Sequence, residues 1–451
     1  MTAPPVPSVA EAGRALRDGS LSAEALLGLH LARIEAVDGA VRAFWEMDPR
    51  ARDLAGQADR ELAGGQDRGP LHGIPFAVKD MTDLQGLVTT NGSRIPTAPA
   101  AEDATAVARL IEAGAIPLGH VATYEWGFVG PDRSLARPPA RNPWDLAHIT
   151  GGSSSGSAAA VAAGTARLAV GSDTGGSIRA PAAYCGVVGL KPTAGRVPAQ
   201  GFFDLAPDLD HPGAIAATVA ECALMLDAMA PPDASWARAA SRLDGGVEGL
   251  TLGYARDWLA SDPLCDPRVL AATDEAASSL SLAGARIVEV AMPPYDLMEA
   301  VGAVIIHVLG LRLHGPSLRE HGEAWGRMGV QTVAAGVVLG DGDLARARAL
   351  VPGLRAEVDA LFTSCDALVT AATLTPAPPV AAFERGAAWT PMRTLPFNVT
   401  GHPAVSVPAG LVGGLPVGLQ VIGPHGEEAT VCRVAAAFER ATDHGTLRPP
   451  L

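Results

Sequence analysis

Two serine-bearing loops and one lysine are the residues in this sequence whose types and spacing could do chemistry. The segments GGSSSGSAAA (151–160) and DTGGSIR (173–179) each contain a Gly-Gly-Ser element, which ends at Ser153 in the first and at Ser177 in the second. Because glycine adopts dihedral angles and close approaches that a Cβ forbids, such loops let backbone N–H groups converge on one point. Converging amides stabilise an oxyanion, so the second loop is predicted to hold a nucleophile, Ser177.

The predicted oxyanion hole consists of backbone N–H groups of the second loop, those of Thr174, Gly175, Gly176 and Ser177. A serine nucleophile needs a base, and neither loop contains a histidine. Lys79 is the alternative, since it closes the apolar run of IPFAVKD (74–80), which reads as a buried strand. Desolvation lowers the pKa of a lysine in apolar surroundings, so the neutral amine can accept a proton. Ser153 is predicted to relay that proton.

These segments resemble the amidase signature family. The resemblance rests on GGSSSGSAAAVAAG and GSDTGGSIRAPAAYCGVVGLKPT, supported by TTNGSR, RNPWD, LDHPG and FNVTGHPAVSVPAGLVGGLPVGLQVIG, and it covers nearly the whole chain. It implies hydrolysis of a C–N bond by a Ser–cis-Ser–Lys triad. On this resemblance Ser177 forms the acyl-enzyme, Ser153 follows a cis peptide bond and bridges, and Lys79 is the base. No metal and no organic cofactor are implied.

Five further residues are expected to support the site or to bind substrate: Gly152, Ser154, Phe128, Asp173 and Arg179. Asp173 and Arg179 flank the second loop, and we interpret them as charges that hold its shape. Phe128 lies in ATYEWGFVGPDRSLARPPA (122–140), a segment that the resemblance places beside the substrate. Its wording is less typical of the family, so the resemblance does not name the substrate.

Three functions are compatible with these motifs. The first is a stand-alone amidase for a small amide, an aryl amide or anilide, or a related carbamate (urethane), with esters as further substrates. The apolar composition of residues 122–130 favours an uncharged, partly hydrophobic substrate. The second is the glutamine-hydrolysing component of an aminoacyl-tRNA amidotransferase, its A-type subunit, although VATYEWGFVGPDRS lacks the Met-Asp-Glu-Phe wording associated with that subfamily. The third, a non-catalytic binding homologue, predicts a damaged triad, whereas all three positions are intact.

The elements that must position these residues follow an α/β pattern. Short apolar runs alternate with helical periodicity, as in DATAVARLIEAGAIPLGHV, which predicts βαβ units and parallel strands. The resemblance implies one large domain over residues 1–451, with a twisted mixed β-sheet flanked by α-helices on both faces. We expect a helical region at about 8–65, a signature core at about 70–225, and a remainder that completes the sheet and its covering helices.

Composition limits the partners. A net charge of −14 disfavours nucleic acid, because such binding needs Lys and Arg to neutralise phosphates. Five scattered cysteines without a CxxC pair predict reduced thiols, and the N-terminal segment lacks the apolar core of a signal peptide, so a cytoplasmic location is expected. The apolar stretch AVGAVIIHVLGL (300–311) is too short to span a bilayer. A monomer or homodimer that binds a small substrate, with no membrane partner, is the expectation.

Overall fold

A mixed sheet of eleven strands lies at the centre of the computed structural model, which describes residues 6–232 and 236–451. The strands are β1 (Phe44–Met47), β2 (Pro75–Lys79), β3 (Ile116–Val121), β4 (Leu168–Asp173), β5 (Val188–Lys191), β6 (His211–Ala216), β7 (Thr251–Tyr254), β8 (Arg286–Glu289), β9 (Ala367–Ala371), β10 (Ala404–Val412) and β11 (Leu415–Ile422). Their order in the sheet is β1-β3-β2-β4-β6-β5-β10-β11-β9-β7-β8.

Fourteen α-helices are present in the described ranges. They are α1 (Val9–Asp18), α2 (Ala23–Val41), α3 (Ala51–Ala63), α4 (Thr105–Glu112), α5 (Ser155–Ala162), α6 (Arg179–Cys185), α7 (Val219–Met229), α8 (Asp257–Ala260), α9 (Pro267–Leu282), α10 (Tyr295–His321), α11 (Arg327–Ala334), α12 (Asp341–Leu361), α13 (Pro396–Val399) and α14 (Glu428–Ala441). The N-terminal region expected to be helical therefore contains α1 to α3, but it also contains the edge strand β1.

Helices cover both faces of the sheet, as the α/β prediction required. Successive side chains of a strand point to opposite faces, so neighbours on one strand report on different halves of the core. On β9, Val369 belongs to one apolar cluster and Leu368 to a second. On β11, Val421 and Ile422 divide in the same way. The fold class is thus confirmed, and the core consists mainly of two apolar layers on either side of the sheet.

Strands β2, β3 and β4 are the parallel part of the sheet that matters for the site. Strand β2 pairs in parallel with both β3 and β4. All five residues of β2 and all six of β3 are buried, as expected for parallel strands covered on both faces. Parallel neighbours end at the same edge of a sheet, so the residues that end these strands are brought together.

Helix α10 corrects the expectation for the apolar stretch 300–311. The helix has 27 residues because it extends beyond that stretch at both ends. By length and composition alone it could cross a bilayer, but half of its apolar window is buried inside the fold. A core helix passes the same test, so this is weak evidence for a membrane span.

Candidate active site

The site forms where β2 and β4 end side by side. Lys79 is the last residue of β2 and Asp173 the last of β4, and Val78 is paired with Val170 in the register of these strands. The two serine loops continue from this edge. The first loop enters α5 directly after Ser154, and the second leads from Asp173 into α6. The predicted base and both predicted serine loops therefore meet at one edge of the sheet.

Lys79 and Ser153 are in direct contact. The Lys79 Nζ atom lies 2.6 Å from Ser153 Oγ and 2.9 Å from Ser172 Oγ. Lys79 is fully buried, and this burial lowers its pKa to about 7, although the carboxylates of Asp173 and Asp210 act in the opposite direction. A neutral amine has two N–H groups and one lone pair, so it can donate to one of these hydroxyls while it accepts from the other.

The backbone around Ser153 is held by β3 and the residues after it. The Gly152–Ser153 peptide bond is cis, as the resemblance implied. The carbonyl of Ser153 accepts hydrogen bonds from the Tyr124 amide and the Thr123 hydroxyl, both at 3.1 Å. A Cβ at Gly152 would lie 2.2 Å from the ring of Tyr124, so only glycine fits at this position. The first loop therefore has a fixed shape.

A buried ion pair holds the second loop. Both Asp173 and Arg179 are fully buried, and the guanidinium contacts the carboxylate at 2.9 Å and 3.0 Å. Burial acts to raise the pKa of Asp173, but the charge and hydrogen bonds of Arg179 and a hydrogen bond from Asn398 hold it well below its usual range. The carboxylate also accepts from the amides of Gly176 at 2.7 Å and Ile178 at 3.1 Å. The two residues interpreted as loop-shaping charges do make that pair.

This ion pair changes the composition of the predicted oxyanion hole. The Gly176 amide donates to Asp173 and is directed away from a substrate. Within residues 6–232 and 236–451, the amides of Thr174, Gly175 and Ser177 have no hydrogen-bond acceptor. A Cβ at Gly176, where φ is +136°, would lie 2.1 Å from Thr394 Oγ1. Glycine is required there for backbone conformation and space, and three of the four predicted donors remain free.

Ser177 is half-buried and reaches the cleft, whereas Ser154 fastens the two loops together. The Ser154 amide donates to the Ser177 carbonyl at 3.2 Å, and its hydroxyl donates to the Ser172 carbonyl at 3.3 Å. Across the described chain, no hydrogen bond joins the hydroxyls of Ser153 and Ser177. Transfer of a proton between these two serines thus stays a prediction.

A narrow cleft of about 60 Å³ lies over Ser177. The side chains that give it an apolar character are Tyr124, Phe128, Ile306, Trp389 and Met392. No Asp, Glu, Lys, Arg or His is among the described residues that line it. Phe128 is nearly fully buried, as a cleft wall would be, whereas Trp389 is 44 % exposed at the mouth.

The Amidase family model matches residues 25–432. The chain belongs to this family. Its members use C–N bond cleavage as their shared chemistry, which agrees with the lysine and serines assembled at the sheet edge.

Among its relatives, the A-type component of the glutamyl-tRNA(Gln) amidotransferase of Synechococcus sp. (strain WH7803) is 37% identical, with 98% of each chain covered. The peptide amidase of Stenotrophomonas maltophilia superposes with a TM-score of 0.85 at 31% identity, covering 98% of each chain. A structure described as an unexpected vestigial protein complex, which reveals the evolutionary origins of an s-triazine catabolic enzyme, gives 0.89 at 33% identity and covers 96% of this chain and 98% of that one.

Sequence reasoning missed several residues that complete the amidase site. Ser172 supplies the second hydroxyl to Lys79, and its place next to the end of a buried strand beside β2 was the available signal. Arg179 Nη1 donates to Gln420 Oε1 at 2.8 Å, and Arg179 Nη2 donates to Asn398 Oδ1 at 2.6 Å. Asn398 and Gln420 lie in the family-like segment FNVTGHPAVSVPAGLVGGLPVGLQVIG, but the sequence did not show that they reach Arg179.

Proposed function

We propose that this protein hydrolyses the C–N bond of a small uncharged amide through an acyl-enzyme on Ser177. The observation that carries the proposal is the uncharged, largely apolar cleft over Ser177. Beside it, the amine of Lys79 contacts Ser153 at 2.6 Å, and its pKa of about 7 lets it act as a base near neutrality. An amide without charges can enter such a cleft without leaving a desolvated ion unpaired.

The reaction begins with neutral Lys79 taking the proton of Ser153 while Ser153 takes that of Ser177. The Ser177 oxygen forms a bond to the carbonyl carbon, and the resulting oxyanion accepts from the free amides of Thr174, Gly175 and Ser177. The C–N bond then breaks as the proton returns through Ser153 to the leaving nitrogen. A water molecule, deprotonated through the same two groups, attacks the acyl-enzyme and releases the acid.

The mouth of the cleft favours an aromatic group on the substrate. The ring of Trp389 lies over the second loop, where a Cβ on Gly175 would be 3.3 Å from it. Replacement of Trp389 by alanine is expected to lower kcat/KM for an anilide about five- to tenfold, because an aromatic contact of this kind contributes about 1 kcal/mol. For the aliphatic amide of the same acid, kcat/KM is expected to change little.

Steady-state kinetics on that pair of substrates measures the effect of Trp389. The matched control is Trp45→Ala, which removes a partly buried tryptophan on β1 that does not line the cleft. Equal losses on the anilide and the aliphatic amide would show that Trp389 only supports the fold.

A second candidate function is glutamine hydrolysis as part of an amidotransferase. It is favoured by the name of the relative from Synechococcus, which describes that protein as one subunit among others, and it replaces a monomer or homodimer with a larger assembly. Glutamine carries an α-ammonium and an α-carboxylate, and desolvation of these charges is costly unless each is paired. The described lining of the cleft offers no charged partner for either, which places this candidate second.

A substrate panel separates the two functions. Purified protein is assayed against aliphatic amides, anilides, nitrophenyl carbamates, esters and glutamine, with Ser177→Ala as the background. Turnover of uncharged amides or carbamates, with glutamine left intact, is the expected result. Glutaminase activity that appears only with other subunits present would overturn the stand-alone function.

The pH dependence follows from Lys79. Only the neutral amine accepts a proton, and its pKa is about 7, so kcat/KM is expected to fall tenfold per pH unit below about pH 7 and to level off above it. The Asp210 carboxylate raises the pKa of Lys79, and burial raises the pKa of Asp210 itself to about 6. Asp210→Asn removes this charge and is expected to move the midpoint of the profile to lower pH.

A pH–rate profile of both proteins measures this shift. Asp208→Asn is the matched control, because Asp208 lies two positions away and pairs with Arg348 at the surface. A midpoint that stays in place or rises in Asp210→Asn would contradict the assignment of Lys79 as the titrating base.

A further inference from the structure

Three potential metal ligands meet at the surface, outside the cleft. Asp359 lies on α12, His402 follows α13, and His425 follows β11. One ligand atom from each can be chosen so that all lie within 4.8 Å of one another. The three elements are distant in sequence, so only the tertiary fold creates this group.

The distances suit a small divalent cation. His402 Nε2 lies 2.9 Å from Asp359 Oδ1, and the ring centres of His402 and His425 are 4.2 Å apart. Ligand atoms about 2.0–2.2 Å from a tetrahedral zinc ion are roughly 3.3–3.5 Å from each other. Asp359 is exposed and His425 only partly buried, so both side chains have room for the small rotations that bring the three atoms to such spacing.

Thr400 orients the most buried of the three ligands. Its hydroxyl lies 3.0 Å from the Pro396 carbonyl, to which it donates, and 2.9 Å from Nδ1 of His402. With the hydroxyl proton directed to Pro396, the oxygen accepts from Nδ1–H, and the lone pair of Nε2 faces the Asp359 carboxylate. A hydrogen-bond acceptor behind a ligating histidine is the usual arrangement at metal sites. A cation between Nε2 and the carboxylate satisfies both acceptors.

We propose that Asp359, His402 and His425 form a site for a zinc-class divalent cation, with a fourth position open to solvent. Two imidazoles and one carboxylate are a ligand set typical of zinc, and the set is less suited to calcium or magnesium, which prefer oxygen ligands. The cation would link α12 to the segments that follow α13 and β11. Because α13 carries Asn398, whose amide contacts Asp173, the link would support the scaffold of the catalytic loops.

The test is zinc titration of the untagged full chain after treatment with a chelator. Calorimetry is expected to show one equivalent bound, and a Co²⁺ complex is expected to show the visible absorption of a low-coordinate site. Zinc at saturation should raise Tm, because the ion binds only the folded chain. Asp359→Asn and His425→Ala are each expected to weaken binding at least about tenfold. Both residues are at least partly exposed, so these variants should fold.

Glu357→Gln is the matched control, since it removes one exposed carboxylate from the same helix, two positions from Asp359. It is expected to bind zinc as the unchanged protein does. Absence of stoichiometric binding, or equal affinity in Asp359→Asn, His425→Ala and Glu357→Gln, would overturn the proposal and leave an ordinary His402–Asp359 hydrogen bond. The readouts do not depend on the amidase reaction.

Discussion

Replacement of Lys79 by methionine is expected to lower kcat by about 10⁴-fold, because it removes the only base that contacts Ser153 among the described residues. The side chain is fully buried, and methionine is an unbranched apolar chain that fills much of the same space. The change deletes two hydrogen bonds to serine hydroxyls, but it also removes the cost of burying an amine. We therefore expect Tm to shift by only a few degrees, which circular dichroism would measure alongside the kinetics.

The chain offers a matched control for this variant in Lys191. This second lysine is also fully buried, ends β5, and donates to the Pro192 carbonyl at 2.8 Å rather than to a catalytic serine. Lys191→Met is expected to keep amidase activity. If Lys79→Met retained more than about 1% of the activity at neutral pH, the proposed base would be wrong, since general-base catalysis contributes at least about 10²-fold.

Replacement of Ser177 by alanine is expected to abolish acyl-enzyme formation and to lower kcat by about 10⁶-fold, since the nucleophile is lost together with the use of its base. The Ser177 backbone amide and carbonyl remain, so the bond from the Ser154 amide should persist and the fold should be kept. Intact-protein mass spectrometry after rapid quenching of a slowly hydrolysed substrate would detect the acyl adduct, and peptide mapping would locate it on Ser177.

Ser155→Ala provides the comparison for the nucleophile. Ser155 is buried at the start of α5, and its hydroxyl donates to the Ala122 carbonyl, which also accepts from the Gly156 amide at 2.7 Å. Loss of the Ser155 hydroxyl leaves that carbonyl paired, so activity should remain close to that of the unchanged protein. An acyl adduct on Ser177→Ala, or an equally large loss of activity in Ser155→Ala, would refute Ser177 as the nucleophile.

Local pattern predicted the elements around the site well. The run IPFAVKD predicted a strand that ends at Lys79, and β2 spans Pro75–Lys79. Such a prediction succeeds because a short apolar run bounded by proline and aspartate leaves few alternatives to a buried strand. The pattern could not give the sheet order, since β5 pairs with β10 and brings Lys191 opposite Ala404 across more than two hundred positions of chain.

The same limit explains the errors and omissions at the site. Gly176 was expected to serve an oxyanion, but its amide donates to Asp173, whose carboxylate is turned toward its own loop by Arg179. Helix α10 exceeds its apolar stretch because packing on other helices stabilises turns that hydropathy does not mark.

The sequence by itself determined the chemical inventory of this protein: two serine loops built of residues too small to crowd a backbone, a lysine at the end of an apolar strand, and the resemblance that joined them. Only the tertiary structure decided how these groups are used. Burial sets the pKa of Lys79 near 7, side chains from distant segments fix the second loop, and the cleft excludes charge. These properties depend on which distant residues surround a group, and a linear pattern does not contain that information.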